Sequence, residues 1–195
     1  MKILFSAVLL LFACFAPLHV LAFESKGTAT SFEEAAKAKN FLRFSINTKK
    51  LGLFKSQVTG YAKKFSAEAK LEGLSLASAR ITFPIRELDT DLYARNDQMW
   101  NSCLGLKDHP EMEVRLPSLS FTEGKAVTAN ATILVRGKEK PLPVELTFSK
   151  TNGHWLVKGN AHTTFEALEI PDPSIGVASV DGPIDIEFSL EESQP

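Results

Sequence analysis

The sequence predicts an all-β protein, an antiparallel barrel of about eight strands with one short helix near a barrel end. Three observations lead to this fold class. Apolar and polar residues alternate with period two in most segments after residue 40, which is typical of strands with one buried face. Gly, Asn, Pro and Lys breaks separate these segments. Only residues 91–106 carry apolar residues at helical spacing.

Residues 1–22 have the features of a secretory signal peptide. Lys2 precedes an apolar run over residues 3–18, which is short for a membrane-spanning helix, and Ala22 is a small residue at the expected cleavage position. Cleavage after Ala22 predicts a periplasmic or secreted protein. Residues 11–14 loosely resemble a lipoprotein cleavage box, so lipidation of Cys14 is left open.

The remainder is expected to form a single domain. Residues 23–38 are polar and Ala-rich, a lead-in or a short helix; residues 39–192 form the barrel and residues 193–195 a tail. The formal net charge of −1 provides no basic stripe for nucleic acid and no polybasic segment for stable membrane attachment. Cys103 is the only thiol after Ala22, which excludes an internal disulfide.

The predicted strands are identified by their apolar positions. In chain order these are Leu42, Phe44 and Ile46; Phe65, Ala67, Ala69 and Leu71; Ala79, Ile81, Phe83 and Ile85; Met112, Val114 and Leu116; Val127, Ala129, Ala131, Ile133 and Val135; Val144, Leu146 and Phe148; Trp155, Val157, Gly159 and Ala161; and Ile184, Ile186, Phe188 and Leu190. The fifth and sixth sets flank a charged break at residues 137–140 and therefore predict a hairpin.

The helical segment interrupts this series of strands. Leu92, Met99, Trp100, Cys103 and Leu104 recur as on one face of a helix. A glycine at 105 and a proline at 110 then end it. A single helix in an all-β chain is expected to cover one mouth of the barrel.

The interior of such a barrel has two possible states. A barrel of about eight strands is either filled by side chains or holds one small ligand, as in lipocalins. The inward positions mix bulky residues such as Phe44 and Trp155 with small ones such as Ala67, Ala129 and Gly159. The pattern alone leaves both states open.

Catalytic and metal-binding patterns are missing from the sequence. His109, His154 and His162 do not stand three or four residues from one another, as helical metal ligands do. Cys103 lies beside apolar residues and is expected to be a small buried hydrophobe rather than a nucleophile. No phosphate-binding glycine loop or serine elbow occurs. The sequence therefore predicts neither an enzyme nor a bound metal or cofactor.

Four segments, in this order, resemble the YceI-like family of exported, lipocalin-like, polyisoprenoid-binding proteins. They are LDTDLYARNDQM, DHPEMEVRL, ATILVRGKEKPLPVELTF and VDGPIDIEFSLE. The first resembles the family's Asp-Thr strand end and the helix that follows, which commonly reads Arg-Asp-x-His-Met. This sequence keeps Arg95 and Met99 but has Asn96 and Gln98 where the family commonly has Asp and His. Gln98 donates and accepts hydrogen bonds yet does not become charged near neutral pH.

The resemblance implies an axial apolar tunnel that carries a long-chain isoprenoid or similar amphiphilic lipid, such as a quinone or polyprenyl lipid. The residues expected at the tunnel wall or mouth are Phe44, Ile46, Phe83, Arg95, Gln98, Met99, Trp100, Ala131, Ile133, Trp155 and Phe188. The alternatives are a stress-protective or surface-acting binding module with a filled barrel and, less favoured, an enzyme acting on the same lipid. The oligomeric state is left open, a dimer included.

Overall fold

The computed structural model describes residues 20–174 and 178–193. In this part of the chain, twelve strands form one antiparallel sheet with two short α-helices. The strands are β1 (Val20–Thr28), β2 (Phe41–Lys50), β3 (Phe54–Ala62), β4 (Lys64–Glu72), β5 (Ser75–Pro84), β6 (Leu88–Asp89), β7 (Glu111–Leu116), β8 (Leu119–Ser120), β9 (Ala126–Val135), β10 (Lys138–Thr151), β11 (His154–Thr164) and β12 (Ala178–Glu191). The helical elements are α1 (Phe32–Lys37), a 3₁₀ turn (Ile85–Glu87), α2 (Tyr93–Gln98) and a π-helical turn (Met99–Cys103).

The sheet curls into a half-barrel. Its strand order is β1–β4–β5–β7–β9–β10–β11–β12–β2–β3–β6, with β8 paired to β5. Within the described residues, β1 and β6 at the two ends of this order do not pair with each other. The antiparallel, all-β class is confirmed, but a closed ring of strands is not what the sheet forms.

The prediction of eight strands is wrong. The eight predicted segments all form strands, and β1, β3, β6 and β8 are added to them. β6 and β8 have two residues each, too few to show alternation. The first four residues of β3 are all exposed, so the period-two signal on which strand prediction depends is absent there.

The N-terminal segment contains more regular structure than a lead-in. β1 begins at Val20 and pairs with β4 along its whole length, and Phe23 and Ser25 are its buried residues. α1 follows, and its N-terminus is capped by the Ser31 hydroxyl, which accepts from the Glu34 N–H at 3.2 Å. The predicted signal peptide up to residue 19 lies outside the described residues, and cleavage after Ala22 stays a prediction.

The helical segment predicted at residues 91–106 is confirmed. α2 continues directly into the π-helical turn, and the Leu104 N–H donates to the Met99 carbonyl at 2.9 Å. Gly105 then takes a φ of +70°, a left-handed conformation that suits glycine and ends the helix. No helix in residues 20–174 or 178–193 is long and apolar enough to span a membrane.

The predicted hairpin is also confirmed, with a tighter turn than expected. β9 pairs with β10 from Val135 opposite Lys138 to Ala126 opposite Thr147. Arg136 and Gly137 form the turn with φ values of +52° and +71°, the combination that matches the twist of paired strands. Residues 138–140, expected as part of the break, therefore belong to β10.

Candidate functional site

The concave side of the curled sheet encloses a cavity of about 540 Å³. Its wall consists mostly of aliphatic and aromatic side chains from alternate positions of the strands, including Phe44, Ile46, Ile81, Phe83, Val144 and Ile186. Residues two apart on a strand point to the same face of the sheet, so each strand contributes several side chains to one apolar surface. Many of the apolar residues whose alternation predicts the strands thus also line the cavity.

The cavity is bounded on one side by Ile81, Leu116 and Phe188. These three residues also line a separate void of about 40 Å³, and therefore separate the two spaces. Phe188 lies over Gly159, where an added Cβ would stand 2.3 Å from the ring. The glycine in β11 thus permits the position of this aromatic residue, which forms the floor of the cavity.

Polar side chains gather where the cavity meets the surface. Lys50, Ser56 and Gln57, at the ends of β2 and β3 that join in a turn, are exposed and border the cavity. Arg95 and Gln98 of α2 border it as well. The mouth therefore lies between the β2–β3 turn, α2 and the segment over residues 165–173.

Residues 165–173 follow β11 directly and run along the mouth of the cavity. Phe165, Leu168, Ile170 and Pro173 all border the cavity. The Gln98 side-chain amide donates to the Pro173 carbonyl at 2.9 Å, which fixes the segment against α2. This contact occupies one of the two donor hydrogens of Gln98 and leaves its amide oxygen for other partners.

A buried hydrogen-bond network holds α2 in place. The Asn96 side-chain oxygen accepts from the Thr90 N–H at 2.8 Å and from its hydroxyl at 2.6 Å, while the Asn96 amide donates to Asp89 Oδ1 at 2.8 Å. Arg95 Nε donates to Thr90 Oγ1 at 2.8 Å, and a second guanidinium nitrogen donates to the Thr90 carbonyl. Both residues therefore position α2, in addition to any role that Arg95 has at the mouth.

Burial and hydrogen bonding shift the pKa values of two charged groups in this network, Asp89 and Arg95. Burial raises the pKa of Asp89, but hydrogen bonds from the Asp91 N–H and the Asn96 amide, together with the Lys63 ammonium at 3.2 Å, outweigh it and leave the pKa lower than usual. Burial lowers the pKa of the Arg95 guanidinium, an effect that the Asp91 carboxylate opposes. Asp89 is thus held as a carboxylate beneath α2.

Most of the residues predicted for the tunnel border this cavity. They are Phe44, Ile46, Phe83, Arg95, Gln98, Met99, Ile133 and Phe188. The other three, Trp100, Ala131 and Trp155, do not border it. The structure therefore brings eight of the eleven residues together around one cavity. Their contact with a lipid stays a prediction.

The three excluded residues have other surroundings. Trp100 is buried beside α2, where its indole N–H donates to the Leu88 carbonyl at 2.8 Å and its ring lies 4.8 Å from the Arg86 guanidinium carbon. Ala131 is 1% exposed and packed within the core, whereas Ile133, two residues along β9, borders the cavity. Trp155 lies at the other end of the sheet, edge-on to Phe121 at 5.5 Å.

Cys103 also borders the cavity, which the sequence did not predict. Its thiol is buried, and this burial raises its pKa, although the Arg136 guanidinium opposes the rise. A neutral thiol is a weak nucleophile. Cys103 is therefore part of the apolar wall, consistent with the prediction of a small buried hydrophobe.

Fold and cavity together define a class: antiparallel, barrel-like proteins with an apolar internal cavity. Within this class, the chain belongs to the YceI-like family, because the YceI-like domain matches residues 33–191. The resemblance seen in the four sequence segments is thereby confirmed. A search of curated proteins finds no match to this chain.

Several solved structures share the fold. A polyisoprenoid binding domain from Saccharophagus degradans, implicated in plant cell wall breakdown, has a TM-score of 0.65 and 14% identity over 90% of this chain and 100% of its own. BcnA from Burkholderia cenocepacia has a TM-score of 0.62 and 19% identity, covering 78% and 96% of the two chains. The YceI protein of Campylobacter jejuni has a TM-score of 0.54 and 16% identity, covering 73% and 89%. At these identities the likeness establishes the fold.

Proposed function

We propose that the protein is an exported, soluble carrier that binds an amphiphilic isoprenoid lipid, of quinone or polyprenyl type, in the cavity. The observation that carries this proposal is the apolar cavity of about 540 Å³ with polar groups at its mouth. Its volume falls within the range of about 300–1,000 Å³ typical of small-molecule sites. A chain placed there gains about 0.8 kcal/mol for each buried CH₂.

The choice of an isoprenoid rests on family membership and on the wall. The Saccharophagus degradans relative is a polyisoprenoid binding domain, and the wall here presents branched and aromatic side chains such as Ile46, Phe83 and Ile186. A methyl-branched chain fits between such side chains by shape, without any polar contact. The cavity is also the feature that opposes the alternative of a side-chain-filled interior.

The polar mouth supports binding of an amphiphile rather than a plain hydrocarbon. Arg95 keeps guanidinium donors beyond those used on Thr90, and Gln98 keeps its amide oxygen. The Arg95 donors suit a head group with acceptor oxygens, such as a quinone carbonyl or a phosphate, whereas the Gln98 oxygen suits a hydroxyl on the head group. Because Gln98 replaces the histidine common in the family, binding through this position does not change with pH near neutrality.

Export is the second part of the proposal. It rests on the basic start, the short apolar run and the small residue at Ala22. A carrier in the periplasm or outside the cell gives an isoprenoid a route through water. Periplasmic or secreted location is tested by fractionating the native host and sequencing the N-terminus of the recovered protein.

Lipid binding is tested by extraction. Organic extraction and mass spectrometry of protein purified from its native host are expected to recover a long apolar molecule, and native mass spectrometry its complex. Alkylation of Cys103 by an apolar maleimide is expected to be faster after lipid removal, because the thiol borders the cavity. The Cys103→Ser variant controls for other sites and is expected to keep its lipid. The proposal is contradicted if the protein purified from its native host carries no lipid and also takes up no isoprenoid alcohol or quinone.

A further inference from the structure

The turn between β2 and β3 exposes three large apolar side chains. Leu51, Leu53 and Phe54 have 64%, 79% and 67% of their surface exposed. None of the three belongs to either apolar core cluster. The buried core therefore gives no reason for apolar residues at this turn, which we call the apolar tip (residues 51–54).

The backbone of the apolar tip makes its sequence more unusual. Leu51 and Gly52 have φ values of +52° and +68°, and the Leu53 N–H donates to the Lys50 carbonyl at 3.1 Å. Turns with two left-handed residues favour Asn, Asp or Gly at both positions. A leucine is disfavoured there, so neither the turn nor the core explains Leu51.

The apolar tip lies at the mouth of the cavity. Thr48 and Lys50 on one side of the turn, and Ser56 and Gln57 on the other, border the cavity. Leu92, at the start of α2, is also exposed and borders it. Any surface that the apolar tip contacts therefore lies close to the mouth of the cavity.

Lysines surround the apolar tip. Lys49, Lys50 and Lys55 flank it in sequence, and Lys50 lies opposite Phe54 in the β2–β3 pairing. Lys49 pairs with Asp181 at 2.9 Å. Within the described residues, Lys50 and Lys55 have no carboxylate oxygen within 4.0 Å. A basic rim around exposed leucine and phenylalanine complements an anionic lipid surface.

We propose that the apolar tip docks on anionic lipid bilayers, with Leu51, Leu53 and Phe54 seated at the bilayer interface and Lys50 and Lys55 against lipid head groups. Docking is peripheral and reversible, since only a few side chains of the apolar tip enter the interface. Its biological use, loading of lipid at the mouth, rests on the proposed function. The docking itself does not.

A local fluorescence reporter tests the docking. The Phe54→Trp variant is mixed with vesicles of phosphatidylcholine, with or without phosphatidylglycerol. We expect a blue shift of its emission and quenching by brominated lipid, both stronger with the anionic vesicles. Leu74→Trp is the matched control, because Leu74 is 51% exposed in the turn after β4 and does not border the cavity. Trp100 and Trp155 give both variants the same background.

Several outcomes overturn the proposal. No shift in Phe54→Trp, or an equal shift in Leu74→Trp, means that the apolar tip is not the docking site. A shift that depends on protein concentration without vesicles means that the tip contacts a second copy of the chain. Such a contact has a structural basis. At the edge of β3, β6 pairs with only Tyr61 and Ala62, so the rest of this edge is open to another strand within the described residues. Because the tryptophan at position 54 reports only on its own surroundings, membrane binding through the apolar run at residues 3–18 is not mistaken for docking of the apolar tip.

A charge variant tests the basic rim. Lys50→Gln combined with Lys55→Gln is expected to weaken binding to anionic vesicles by about tenfold or more and to remove the preference over neutral vesicles. Added salt is expected to have the same effect on the parent protein. A preference that survives both changes overturns the role of the lysines.

Lipid extraction from the same preparations separates the two proposals. Docking with an empty cavity refutes the carrier function and keeps the docking site. A lipid-filled cavity without vesicle binding does the reverse. If both hold, Leu53→Ser is expected to slow transfer of a fluorescent isoprenoid from vesicles several-fold, while Leu74→Ser leaves the transfer rate unchanged.

Discussion

The two ends of the curled sheet use the same strands and differ in what lies between them. On β10, Val144 borders the cavity, whereas Phe148, four residues further along, stacks on Phe121 with ring centroids 4.0 Å apart. Trp155 meets Phe121 edge-on at the same end. Aromatic rings that meet across the interior fill one end except for the void of about 40 Å³, whereas the aliphatic and aromatic side chains spread around the wall leave a cavity of about 540 Å³ at the other end. Period-two alternation fixes which side chains point inward, and their summed volume decides whether space remains.

The filled end is expected to be the more sensitive to truncation. Phe148→Ala removes a ring that is 2% exposed and stacked on Phe121, so it is expected to lower the free energy of unfolding by about 3–5 kcal/mol. Phe83→Ala, at the cavity, is expected to cost less, because part of that ring already faces open space. Urea unfolding of both variants without lipid gives the comparison. Equal losses contradict a hollow end.

A second pair of variants compares packed wall with open space on a single strand. Ala131→Phe is expected to destabilise by about 1–3 kcal/mol, because Ala131 is closely packed and off the cavity. Ile133→Phe, two residues along β9, is expected to keep most of the stability and to reduce the bound lipid, because its extra volume enters the cavity. Thermal melting and lipid extraction are measured on both. If Ala131→Phe stays stable and loses only lipid, then Ala131 does face the cavity.

The fold could be predicted wherever one strand face is buried and the other exposed. β9 and β10 show this alternation clearly, and both were predicted. β1 could not be found in the same way, because Ser25, one of its two buried residues, is polar. β3 begins with four exposed residues, among them Phe54. An apolar residue that serves the surface gives the same sequence signal as one that serves the core.

The site was predictable in part for a similar reason. Inward positions on strands identified the wall, and the family resemblance identified Arg95 and Gln98. The contributions of Leu168 and Ile170 come from an irregular segment, where no periodicity marks an inward face. The role of Asn96 also escaped prediction. In the sequence, Asn96 is simply a polar residue after Arg95 on a short helix. A surface residue would look the same, so the sequence does not reveal that Asn96 is buried.

Asn96 provides a third prediction, at the polar support of the hollow end. Asn96→Ala removes the acceptor for the Thr90 N–H and hydroxyl and the donor to Asp89. Buried groups left without partners are expected to cost about 1–3 kcal/mol. Asp97→Ala, the exposed neighbour whose carboxylate accepts from Asn101 at 2.8 Å, is the matched control and is expected to cost little. Urea unfolding at pH 7 measures both.

The same variant alters the acid dependence of stability. In the folded protein the pKa of Asp89 lies below its ordinary value of 3.8. The stabilisation that this lowering provides is therefore complete above pH 3.8 and is lost as the pH falls through the lower folded pKa. Asn96→Ala removes one cause of the lowering, so its stability is expected to fall less steeply in acid than that of the parent. Parallel acid curves for the two proteins show that Asn96 does not support Asp89.

The smallest expected effect concerns the segment that closes the hollow end. Glu169 pairs with Lys138 at 2.5 Å and also with Lys140, and these ammonium groups lower the pKa of its carboxyl from 4.5 to about 2. The pairs hold residues 165–173 against β10. Lys138 and Glu169 are exposed to solvent, whereas the side chain of Lys140 is only 16% exposed. Because the shared carboxylate is open to solvent, the contribution of the pairs at pH 7 is expected to be small and to disappear near 1 M salt, where the screening length is about 3 Å.

The pH dependence gives this last prediction its sign. Because the folded pKa is lowered, the ion pairs stabilise the folded state fully above pH 4.5, and the effect is lost between pH 4.5 and about 2. Glu169→Gln is expected to abolish this loss and to speed hydrogen exchange at the Ile170 N–H, which donates to the Phe165 carbonyl at 2.8 Å. Glu166→Gln, on the same segment, changes an exposed carboxylate that forms no ion pair with the described residues. If exchange at Ile170 rises equally in both variants, loss of charge rather than of these two ion pairs loosens the segment.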